Sequence, residues 1–135
     1  MSEKKLEGAG LRGQVAGKTS LSTVGKAGKG LTYRGYPIET LSEKAKFEEV
    51  AYLLMYGSLP NANEYESYTK KLISMRSLPE TILEVLERIP ASAHPMDVMR
   101  TGCSMLGNIE PEGEFSNQQH SANRILATMA SIIVY

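Results

Sequence analysis

The sequence predicts a mainly α-helical domain with a small β-hairpin near its amino-terminal end. Three observations carry this. Eight of the 12 glycines fall within the first 35 residues, where their backbone freedom opposes helix. Two short runs, Thr19–Val24 (TSLSTV) and Leu31–Tyr36 (LTYRGY), hold β-branched or aromatic residues in partial alternation. From Pro37 onward the apolar residues recur at three- and four-residue spacing. The chain therefore divides into residues 1–37, an arm and hairpin, and residues 38–135, a unit of about five helices.

Each element has its own signal. Gly25–Gly30 (GKAGKG) forms the loose turn between the two strand-like runs. Thr40 or Ser42 is placed to cap the first helix, with Glu43 completing a capping-box pattern three residues after Thr40. That helix carries Phe47, Val50, Ala51 and Leu54 on one face and stops at Gly57. Asn61 caps a second helix bearing Tyr65, Tyr68, Leu72 and Met75. Pro79 suits the first turn of a third, with Ile82, Val85, Leu86 and Ile89 on its apolar side.

Pro90 and Pro95 bracket a linker. A fourth helix then turns Val98 or Met99, Gly102, Cys103 and Leu106 inward. Gly102 beside Cys103 makes that face shallow, which predicts a close helix–helix crossing. Asn108–Asn117 (NIEPEGEFSN) reads as a polar loop. The last helix starts at about Gln118 and presents Ala122, Ile125, Leu126, Met129, Ala130 and Ile133. It runs to Ile132-Ile133-Val134-Tyr135 with no capping glycine or basic last turn, which predicts a helix that leans on segments outside this chain.

Composition narrows the function. Fifteen basic residues balance 15 acidic ones, so the chain lacks the positive surplus with which an electrostatic nucleic-acid binder neutralises phosphates. No apolar run approaches the roughly 20 residues of a membrane span. The opening MSEKKLEGAG is charged and unlike a signal or transit peptide. The single cysteine, Cys103, excludes an intrachain disulfide and a cysteine-based zinc cage, and a reducing, cytoplasmic setting is expected.

Candidate chemistry is sparse. Gly13–Thr19 (GQVAGKT) approaches a P-loop, but position 12 is Arg where the motif needs Gly, and Gly13 comes one residue late. It reads as an entry loop to the hairpin. Gly25–Gly30 runs G-x-x-G-x-G between strands, not G-x-G-x-x-G opening a helix, so it is no dinucleotide fingerprint.

His94 and His120 are far apart and lack metal-ligand spacing. Asp97 could orient His94 as an acid–base pair, but His94 precedes Pro95 at a helix start, where capping or bridging is the stronger expectation. His120 is expected to be solvated and Cys103 an inert, buried thiol. Arg100 could pair with Asp97 on the helix surface or face an anionic ligand. The candidate substrate-binding residues are His94, Arg100 and Arg76. No nucleophile, acid and base assemble from these residues.

Six stretches in order resemble a known family: Leu11–Thr19 (LRGQVAGKT), Ser22–Gly25 (STVG), Tyr33–Tyr36 (YRGY), Phe47–Leu54 (FEEVAYLL), Tyr56–Asn61 (YGSLPN) and Ala91–Gly102 (ASAHPMDVMRTG). Short pieces such as R-G-Y are weak alone. Their order, and the long A-S-A-H-P-M-D-V-M-R-T-G stretch, are specific. Together they resemble the citrate synthases, and within them the 2-methylcitrate synthase branch.

The resemblance implies a helical, homodimeric enzyme that condenses propionyl-CoA or acetyl-CoA with oxaloacetate and releases CoA. It implies no cofactor, since the acyl-CoA is a substrate. In that family a carboxylate removes the α-proton of the thioester, one histidine stabilises the enol and another polarises the oxaloacetate carbonyl. It further implies that this chain is the N-terminal part of the large domain and is truncated at its C-terminus. The catalytic histidines and aspartate then lie beyond Tyr135, and His94 belongs to a helix start near the dimer interface. The competing expectation is a non-catalytic binding or interaction module on the same helical scaffold.

Overall fold

The computed structural model describes residues 17–25 and 30–135. Gly13–Ala16 and most of the Gly25–Gly30 turn lie outside those residues. Strand β1 (Ser22–Thr23) pairs antiparallel with β2 (Thr32–Tyr33), Ser22 opposite Tyr33 and Thr23 opposite Thr32. This is the expected hairpin.

A third strand, β3 (Tyr36–Pro37), was not expected. It folds back on β2 with Tyr36 opposite Tyr33. The run read as one strand contains a two-residue turn at Arg34 and Gly35, both at positive φ (50° and 90°), the backbone hand that matches strand twist. The Arg34 guanidinium reaches from this turn to two partners. Nη1 donates to Ser20 Oγ at 2.7 Å, and Nη2 donates to the carbonyl of Leu54 at 3.1 Å, fastening the sheet to the helices.

Six α-helices follow: α1 (Ile38–Lys44), α2 (Phe47–Tyr56), α3 (Ala62–Ser74), α4 (Glu80–Glu87), α5 (Pro95–Ile109) and α6 (Gln118–Val134). The sixth arises because the first predicted helix is two, broken where Ala45 and Lys46 turn extended. Thr40 and Ser42 therefore lie inside α1 and cap nothing; the Ser42 hydroxyl donates to the carbonyl of Glu39. The expected partner Glu43 likewise lies inside α1; the capping carboxylate is that of Glu49, which accepts the Lys46 N–H at 2.7 Å at the start of α2.

Other termini follow their signals. Gly57 closes α2 in the left-handed conformation at φ 96°. Asn61 and Glu64 form a reciprocal capping box, with Oδ1 accepting from the Glu64 N–H at 3.0 Å and the carboxylate accepting from the Asn61 N–H at 2.8 Å. Pro79 stands just before α4 as its cap residue rather than within its first turn.

The core has two clusters. Ile82, Leu86, Leu106 and Ile132 form one; Tyr68, Leu72 and Ala127 form the other. Helix α6 supplies residues to both. Its fully buried residues are Asn123, Ala127, Thr128 and Ile132. Of the expected face, Leu126 packs against the second cluster and Ala122 and Met129 are half-buried, while Ile125, Ala130 and Ile133 are exposed. Ile125 and Ile133 are each about 40% exposed. The apolar period misplaced the face because two inward residues are polar and internally satisfied. Likewise Leu53 is the buried residue of α2, while Phe47 is 67% exposed.

The expected close crossing is present. A Cβ placed on the buried Gly102 of α5 would lie 2.6 Å from Ile132 Cγ2 of α6, so only a missing side chain permits this approach. Gly107, on the same helix, has nothing within 4 Å of such a Cβ. Gly102→Val is therefore expected to destabilise the chain by about 2 kcal/mol or more through overpacking, read as a lower urea midpoint. Gly107→Ala should raise the midpoint, by about 1 kcal/mol of helix propensity. Equal effects at the two glycines would contradict the crossing.

Candidate functional site

The three candidate substrate-binding residues occupy separate places. His94 caps α5: its Nδ1 accepts the Met96 N–H at 3.2 Å. Arg100 lies further along α5 and pairs with Asp97 at 3.0 Å on an exposed surface, where such pairs contribute little. Asp97 thus meets Arg100, and His94 is occupied by a backbone N–H. The capping and ion-pair readings describe these residues better than acid–base chemistry. Arg76 follows α3 and lines a shallow groove with Phe47, Leu72, Leu126 and Val134. Among the described residues no cluster of His, Cys, Asp or Glu could hold a metal ion.

The structure assembles a different polar centre, around Arg124 of α6. Its Nε and Nη2 donate to the two carboxylate oxygens of Glu110 at 2.9 and 2.8 Å. Its Nη1 donates to the carbonyl of Ser77 at 2.9 Å and to that of Met75. One mostly buried guanidinium therefore joins α6 to the end of α5 and to the segment after α3. The hydrogen bond from Arg124 holds the Glu110 carboxyl below its usual range, and the same bond raises the pKa of Arg124. An arginine inside an apolar helical run was the overlooked signal.

Beside this clamp, Cys103, Leu106, Gly107, His120 and Ser121 line a groove of about 560 Å³ between α5 and α6. His120 is exposed at its rim, as a solvated histidine should be. Cys103 is only partly buried, where the sequence led to a buried thiol.

A second polar network was also missed. Tyr52 stacks on Tyr56 with centroids 4.4 Å apart, and Tyr68 meets both rings edge-on. The Tyr68 hydroxyl donates to Asn123 Oδ1 at 3.0 Å, while Asn123 Nδ2 donates to Tyr56 Oη at 3.1 Å and to the Gln119 carbonyl at 2.9 Å. Burial pushes the Tyr68 pKa up to about 12, so it stays protonated at neutral pH and serves as a structural donor, not an acid or base. Both networks join helices to one another. No positioned proton-transfer pair is formed among the described residues.

Residues 10–135 match the family model described as citrate synthase, C-terminal domain. The chain belongs to the citrate synthase family. It is 64% identical over 132 residues to a 2-methylcitrate synthase of Shewanella oneidensis, an alignment covering 98% of this chain and 35% of that protein. It is 36% identical over 125 residues to a 2-methylcitrate synthase of Mycobacterium tuberculosis, covering 92% of this chain and 32% of that one.

Citrate synthase from Thermotoga maritima superposes with a TM-score of 0.82 at 31% identity, over 94% of this chain and 33% of that one. The Thermoplasma acidophilum citrate synthase, solved in a ternary complex with carboxymethyl coenzyme A and oxaloacetate, superposes at 0.81 and 21% identity, over 90% of this chain and 33% of that one. The last likeness speaks to the fold alone. The chain spans about one-third of the length of the relatives it matches.

Part of the family's helical scaffold is thus present, and two polar clamps within this chain yield expected outcomes. The folded chain keeps Glu110 ionised below 4.5, the ordinary titration value of glutamate. The pair's stabilisation is therefore complete above that pH and is lost as pH falls through the depressed value. Glu110→Gln should lower stability at neutral pH and flatten the stability–pH curve on the acid side. Unchanged acid dependence in urea titrations would contradict the clamp. Asn123→Ala removes the acceptor of the buried Tyr68 hydroxyl and a donor to the partly exposed Tyr56, and should cost roughly 1–3 kcal/mol in the same assay.

Proposed function

We propose that this chain is the N-terminal part of a 2-methylcitrate synthase, residues 1–37 forming an arm and hairpin and residues 38–135 the first portion of the large domain. The observation that carries this reading is the 64% identity to a 2-methylcitrate synthase over 98% of the chain. The order of the motifs, ending in Ala91–Gly102, supports the amino-terminal placement. The matched family model is described as a C-terminal domain, but its match begins at residue 10 of this chain.

The full-length protein would condense propionyl-CoA, or acetyl-CoA, with oxaloacetate to give 2-methylcitrate, or citrate, and CoA. That places it in propionate metabolism and beside the tricarboxylic acid cycle. It would act as a homodimer in the cytoplasm, with the acyl-CoA as substrate and no cofactor. Among the described residues no helix is long and apolar enough to cross a membrane.

The catalytic carboxylate and histidines belong to segments outside this chain. His94 and Arg100 are engaged within α5, which leaves Arg76 as the candidate best placed to meet an anionic group of a substrate. Exposed apolar residues on the outer side of α6, Ile125, Ile133 and Val134, offer surface to the remainder of the synthase.

The test is CoA-thiol release from propionyl-CoA and oxaloacetate. The full-length protein should turn over and should prefer propionyl-CoA to acetyl-CoA, while residues 1–135 alone should show no activity. Turnover by residues 1–135 would overturn the reading. A compact, cooperatively melting monomer of that length, with no activity in the full-length protein, would favour the non-catalytic module.

A further inference from the structure

We draw no further inference here: the strongest candidate, the groove between the end of α5, the loop after it and the start of α6, has its arginine already engaged by Glu110 and two backbone carbonyls, and nothing in the structure shows what occupies or covers it.

Discussion

The fold depends on the burial of one helix, α6. Two apolar clusters that share no other element are both completed by it, one through Ile132 and the other through Ala127. A helix asked to close two clusters must enter the core along much of its length. It then carries polar groups inward, and each requires a partner because a buried donor or acceptor left alone costs about 1–3 kcal/mol. Asn123 is answered by two tyrosines and Gln119, Thr128 by the carbonyls of Arg124 and Ile125, and Arg124 by Glu110 and the segment after α3. The close approach at Gly102 fixes the depth at which this helix sits.

These demands explain which parts of the structure were legible beforehand. Termini were legible where the chemistry is local: Asn61 with Glu64, Gly57, and the start of α6 at Gln118. Gly102 was legible because only a shallow helix face admits a second helix so closely. The break between α1 and α2 was not, since Ala45 and Lys46 carry no residue that forces an extended backbone. Nor was the inward face of α6. Counting apolar residues passes over Asn123 and Thr128, whose burial is allowed only by partners distant in sequence or one turn back along the helix. Arg124 was lost for the same reason, its carboxylate lying 14 residues away.

The same polar residues bear on function. A catalytic group needs a free face toward a reacting atom and a pKa suited to its task. The Tyr68 hydroxyl is held protonated, Glu110 is held ionised beneath an arginine, and His94 is committed to a backbone N–H. Tyr68 and Glu110 join elements of the scaffold, and His94 caps the start of α5. Family membership and the polar architecture therefore agree: a helical framework of a citrate synthase, one-third of the length of its relatives, in which polar side chains hold helices together.

Native-state hydrogen exchange, followed residue by residue, tests the central role of α6 most directly. If that helix is the shared strut of both clusters, the slowest amides of α3, α5 and α6 exchange through one common opening, with the same free energy and the same denaturant dependence. Loss of protection in α6 through a local opening, while α3 and α5 stay closed, would contradict the account.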